Sequence, residues 1–185
     1  MSAEKPEVRS QESEQRGAWA FGEMRRRVAL MMAAREWIGT PFLEGCGARA
    51  KAGACADCVS LPAAVLRSVG AIGAVPWPKR YVSIGGGAAM LAVMVDVLAN
   101  IPGLWRDWDR TKSANCPPLL AGDLLLCSAG DRLHHLILCL SAVQGIHSWG
   151  GRVAYCSPAD HPKLRYALFR CYEPATDNRQ PTTDQ

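Results

Sequence analysis

Apolar residues recur along this chain with two periods, one in each half. In the first half the spacing is helical. Met24, Val28, Met31 and Ile38 form one apolar stripe, which predicts a helix over residues 18–38 that Gly39-Thr40-Pro41 stops. Residues 43–56 are small and follow neither period, so they read as a loop. Asp57 then suits the N-cap of a helix running to about Val69 and ended by Gly70. Pro62 lies deeper in that helix than proline is best tolerated, so an irregular first turn is expected. Residues 71–118 read as an insertion. Val75-Pro76-Trp77-Pro78 is an extended turn, Gly85 to Asn100 a further helix, and Trp105 and Trp108 precede a polar loop to Cys116-Pro117-Pro118.

In the second half the apolar runs become short and are punctuated by turns. Leu124-Leu125-Leu126-Cys127 follows Gly122-Asp123, and His135-Leu136-Ile137-Leu138-Cys139-Leu140 follows Gly130-Asp131. The second run is apolar after its first residue and reads as a central strand. Ile146-His147-Ser148-Trp149, Arg152-Val153-Ala154-Tyr155 and Tyr166 to Cys171 complete the set. Helices first and antiparallel strands second predict an α+β domain. Residues 1–17 and 173–185 are polar and read as disordered tails.

Composition changes this picture little. At 185 residues, 49% hydrophobic and 21% charged, the chain has material for one globular domain. The net charge of +4 is spread out apart from Arg25-Arg26-Arg27, which suits a solvated helix face, so nucleic acid is not an expected partner. Gly85-Gly86-Gly87 lacks the spacing and the Lys-Ser/Thr ending of a phosphate loop. The opening residues carry no apolar signal segment. The longest apolar stretch, Ala88 to Ala99, is short and contains Asp96, so no membrane span is expected. Synthesis in the cytoplasm follows, and with it the expectation that all eight cysteines are reduced thiols.

The candidate chemistry rests on Cys58 at a helix start and on two strand histidines, His135 and His147, twelve residues apart. A thiol of pKa about 8.5 is a weak nucleophile until a helix N-terminus or an imidazolium lowers that value. Cys58 has the first available, and His135 would supply the second as general base. If the two strands form a hairpin, His147 falls one diagonal step from His135 and can hold its tautomer. His134 points to the opposite face and reads as a turn residue. Each of these residues alone is more often a packing residue, and it is the ordered combination that points to catalysis. Cys55-x-x-Cys58 could also be half of a zinc site, with Cys46 or His161 recruited, or a redox pair. No second ligand pair completes the zinc set and no βαβ unit frames the redox motif.

Gly39-Thr40-Pro41-Phe42, Asp57-Cys58-Val59-Ser60-Leu61, Ala121-Gly122-Asp123-Leu124-Leu125-Leu126, His135-Leu136-Ile137-Leu138 and Ile146-His147-Ser148 together resemble the NlpC family of cysteine peptidases. The resemblance covers roughly Arg35 to Tyr172. It implies a papain-like fold, with the cysteine-bearing helix packed on an antiparallel sheet that bears both histidines. It implies Cys58 as nucleophile, His135 as base and His147 as the orienting third residue, with Asp57, Phe42 and Ser60 at the substrate and no metal or cofactor. Phe42 stands where many members have tyrosine, and Ser60 where glycine is frequent. The implied reaction is hydrolysis of a γ-D-glutamyl-diamino acid bond in the peptidoglycan stem peptide. The long loop with Cys46 and Cys55, and the 71–118 insertion, resemble the phage-tail and gene-transfer-particle branch, so tail proteins are expected partners and the virion an expected location. The alternatives are a thiol-dependent acyltransferase, an amidase on another isopeptide, or a wall-peptide-binding tail module that does not cut.

Overall fold

The structure is a computed structural model that describes residues 24–75, 88–102, 104–109, 111–129, 133–158 and 165–170. Its helices are α1 (residues 24–35), α2 (Ser60–Ser68) and α3 (Ala88–Ala99). Six strands follow: β1 (Trp105–Asp109), β2 (Leu124–Ala129), β3 (Leu133–Cys139), β4 (Gly145–Trp149), β5 (Arg152–Cys156) and β6 (Arg165–Arg170). The strands form one antiparallel sheet in the order β1-β6-β2-β3-β4-β5. This is an α+β domain. The expected tails, Gly85-Gly86-Gly87, Pro76-Trp77-Pro78, His161 and Cys171 lie outside the described residues.

The apolar alternation of β2 and β3 divides two packing layers. Leu124, Leu126, Leu136 and Leu138 join the larger cluster, which includes Leu61, Val65 and Leu66 of α2 and Val97 and Leu98 of α3. Leu125, Cys127, Ile137 and Cys139 point the other way, into a smaller cluster with Trp108, Leu119 and Leu168. A strand apolar at every position is what a sheet covered on both faces requires. Each leucine so buried contributes about 1.5–3 kcal/mol relative to exposure. Arg170 of β6 pairs with Asp107 of β1 at 3.1 Å and with Asp123, just ahead of β2, at 3.3 Å.

Three sequence expectations need correction. The stripe Met24, Val28, Met31 and Ile38 is exposed, and the residues of α1 and its following turn that enter the core are Leu30, Ala34 and Trp37. Both stripes have helical spacing. The indole of Trp37 offers the larger apolar area, and Ala34 allows close approach to the body of the domain. Secondly, the Trp105–Trp108 segment is not merely the start of a loop. It forms edge strand β1, paired with β6 across a register shift between Arg106 and Trp108. Its charged residues hid the strand, because an edge needs apolar side chains on one face only. The supposed insertion therefore contributes to the sheet.

Thirdly, the cysteines are not all thiols: Cys46 and Cys55 form a disulfide. The loop that holds them is also more ordered than its lack of period suggested. It contains a short 3₁₀ turn (Gly47–Arg49), and bridges join Phe42 to Ala56 and Lys51 to Cys55.

Candidate active site

The start of α2 is built by Asp57. Its Oδ1 accepts the N–H groups of Val59 (3.0 Å) and Ser60 (2.7 Å), and the Ser60 hydroxyl accepts the Asp57 N–H at 2.9 Å. This reciprocal arrangement is a capping box with serine in place of the usual Glu or Gln. The Leu61 N–H reaches the Asp57 carbonyl at 3.1 Å, so Asp57 is the functional N-cap and Cys58 the first residue inside it. Pro62 has no N–H to return to the Cys58 carbonyl. The first turn is accordingly irregular, and regular helix begins at Ser60.

Strands β3 and β4 hold the histidines. They pair at Leu138↔Ile146 and Cys139↔Gly145, beside the turn, and the ladder goes no further. The Cys139 N–H bonds the Asp123 carbonyl on the β2 side, and the Leu140 N–H bonds the Gln144 carbonyl on the hairpin side. Even-numbered N–H groups of β3 therefore face β4. That of Leu136 lies beyond the paired stretch, close enough to Cys58 to favour its thiolate. Helix α2 packs on both strands.

His135 and His147 meet beyond the paired stretch, with His135 Nε2 3.0 Å from His147 Nδ1 and the rings edge to face at 4.9 Å. The diagonal relation expected from their spacing holds. His135 is 7% exposed, and its Nδ1 is buried without a hydrogen-bond partner. His134 lies on the other face of β3, where its Nδ1 is 3.2 Å from the Ser128 hydroxyl. It is a strand residue, not the expected turn residue. Trp149, missed in the sequence, sets its ring edge to face on His135 at 4.9 Å. Two signals could have found it: alternation puts Trp149 on the face of His147, and extending the register puts it opposite His135.

Burial dominates the electrostatics. It pushes the Cys58 thiol up to about 12, with a further push from the Asp57 carboxylate. Backbone N–H groups of Leu136 and of Cys58 itself act in the opposite sense. Burial also lowers His135 to about 3, with help from His147. At neutral pH the Cys58 thiol and the His135 imidazole are therefore both uncharged. The expectation of a pre-ionised Cys58 is corrected: desolvation outweighs a helix start whose nearest carboxylate is Asp57.

Of the residues expected at the substrate, Asp57 is 3% and Ser60 0% exposed, and both are engaged in the cap. Phe42 is partly exposed. Its N–H donates to the Gly151 carbonyl in the turn after Trp149. The Ser148 hydroxyl ties β4 to the Ala56 carbonyl at 3.1 Å. Among the described residues no group of three or more His, Cys, Asp or Glu could hold a metal ion, and no helix is long and apolar enough to cross a membrane. The disulfide takes up Cys46 and Cys55, two of the cysteines that the zinc reading would use. No protein-family model and no curated protein matches the chain.

Proposed function

We propose that this chain is a cysteine peptidase of the NlpC type, with a papain-like arrangement, that hydrolyses the γ-D-glutamyl-diamino acid bond of peptidoglycan stem peptides in the setting of a phage or prophage tail. One observation carries the reading. His135 has Nε2 engaged by His147 while its buried Nδ1 is left without a partner, and the backbone of the next residue, Leu136, acts on the Cys58 thiol.

The chemistry follows from the uncharged resting pair. As Cys58 Sγ attacks the acyl carbon, its proton passes to His135 Nδ1, so the two charges arise together and only when substrate is present. The Asp57 carboxylate takes the N–H groups of Val59 and Ser60, and we assign the Cys58 N–H, outside that cap, to the oxyanion. His135 then returns its proton to the departing amine, leaving a thioester. Water, deprotonated by His135, cleaves the thioester and regenerates the thiol. His147 fixes the tautomer and supports the transient imidazolium, and the Trp149 ring keeps water from their contact. Phe42 at the rim offers an apolar wall to a thin, extended peptide.

The test is digestion of muropeptides containing a γ-D-glutamyl-diaminopimelate bond, followed by mass spectrometry. A new free amine on the diamino acid is expected. Cleavage between sugars, or at the lactyl amide, would refute the bond assignment. Capture of the acyl group by an added amine without hydrolysis would favour an acyltransferase, and binding with no turnover a non-catalytic module.

A further inference from the structure

The disulfide connects to the nucleophile by a short chain of contacts. Cys46 is 1% exposed, and the next residue, Gly47, donates its N–H to Asp57 Oδ2 at 3.2 Å. The other oxygen of that carboxylate receives Val59 and Ser60 and so fixes the turn that carries Cys58. From the opposite side, Cys55 is tied through both its N–H and its carbonyl to Lys51. Ala56, immediately after it, is tied to Pro41, Leu43 and Ser148. The cross-link thus joins the segment that holds the Asp57 carboxylate to the segment that leads into Cys58.

Apart from the cross-link, the loop is held by bonds within itself, from the N–H groups of Cys46 to Leu43, Arg49 to Cys46 and Ala50 to Gly47, and by the Gly53 N–H on the Thr40 hydroxyl at 2.8 Å. Gly45, Gly47 and Gly53 all adopt positive φ (71°, 51° and 75°), and glycine gains more freedom than any other residue when a constraint is removed. Without the cross-link, the Gly47 N–H is carried by a glycine-rich segment whose bonds between Leu43 and Ala50 are local and, apart from Gly47's own bond to Asp57, do not reach the turn that carries Cys58.

We infer that the Cys46–Cys55 disulfide positions the nucleophile, so that the Cys58 site answers to the redox state of a second cysteine pair. A dithiol is sufficient to throw the switch. Its two thiols reduce the Cys46–Cys55 bond to two thiols and leave as the dithiol's own cyclic disulfide. Gly47 then releases Asp57 Oδ2, the cap loosens, and Cys58 leaves its slot against Leu136. Exposure to water relieves the desolvation that holds the thiol protonated, while the alignment needed for attack is lost. Reactivity toward a small alkylating agent and turnover therefore move in opposite directions. A disulfide that served stability alone would move neither in a chain that stays folded.

The turnover part rests on the peptidase reading above, and the alkylation part does not. The experiment compares the oxidised full-length chain with the same chain after dithiothreitol treatment and removal of the reagent, and with the C46S/C55S variant. Peptide mass spectrometry confirms the state of each cysteine. The second-order rate of iodoacetamide at Cys58 is followed against pH, alongside kcat and KM on stem peptide. Reduction is expected to lower kcat by about tenfold or more, the scale of a small misplacement of reacting groups. KM should stay within about twofold, Cys58 alkylation should speed up, and its pH midpoint should fall. The C46S/C55S variant should match the reduced wild type, and circular dichroism should show both folded. Unchanged alkylation and unchanged kcat after verified reduction would overturn the inference. An altered Cys58 alkylation rate in a chain that cleaves no stem peptide in either state would uphold the positioning and refute the peptidase reading.

Discussion

The two ends of the β3–β4 hairpin contrast in what their backbone does. Beside the turn the strands pair tightly around Gly145, which has no room for a side chain: an added Cβ would sit 2.7 Å from Ile137 Cγ2 and 2.9 Å from the Leu138 carbonyl. At the far end the ladder is absent, the Leu136 backbone acts on the Cys58 thiol, and His135, His147 and Trp149 gather. One end spends its hydrogen-bonding capacity on stability, and the other leaves it available to chemistry. An unpaired stretch inside a sheet carries polar groups that need partners. Here they receive a helix start and a thiol.

The sharpest break of that contrast is Cys58→Ala. Turnover should vanish while the urea midpoint stays close to wild type, because only one sulfur is removed from the open end. Survival of activity would end the assignment. Next is His135→Ala, expected to lower kcat/KM by about 10²-fold or more, the usual contribution of a positioned base. His147→Gln should keep part of the rate, since a neutral amide can still orient the ring, and His134→Ala should change little. If the His134 variant were the dead one, the face assignment of β3 would be off by one residue.

At the paired end the expected effect is on stability instead. Gly145→Ala should destabilise the fold by about 1–3 kcal/mol, the cost of overfilling a packed site, read from urea unfolding, with the alkylation rate of Cys58 in the folded chain unchanged. A loss of Cys58 reactivity without loss of stability would show that the two ends are not separable.

The smallest expected effect is on pH dependence. His135, lowered to about 3, is uncharged above that value, and Cys58, raised to about 12, is protonated below it. The reactive uncharged pair thus persists through the neutral range. A plot of kcat/KM should stay level down to about pH 5 instead of falling through the ordinary histidine value near 6.5. The same shift has a stability sign. The unfolded chain takes up the His135 proton as pH falls through about 6.5, whereas the folded chain resists until about 3. His135 therefore contributes stability above the first value that is lost on acidification between the two.

Strands β2 to β6, the helix start at Asp57 and the diagonal relation of His135 to His147 were legible because alternation, capping residues and turn spacing are local signals. The spacing of Met24, Val28 and Met31 pointed to helix α1, but helical spacing does not say which of two apolar faces the domain covers. Strand β1 was hidden because Arg106, Asp107 and Asp109 break the apolar run. The disulfide was misjudged from an expected compartment, although Cys46 and Cys55 flank a segment that turns back on itself through Lys51. The uncharged state of Cys58 was beyond local reading too. It depends on how deeply the folded chain buries the thiol, which local patterning does not report.

The outward face of α1 has a consequence for how the protein ages. Met24, Met31 and Met32 are 62%, 47% and 67% exposed, whereas Met94 is 3% exposed inside the domain. Peroxide should convert the first three to sulfoxides early, turning an oily ridge polar without touching the core, and should spare Met94. These three methionines are consumable surface groups whose sulfoxide content, read by peptide mass, records the oxidant a preparation has met while the fold beneath them is intact.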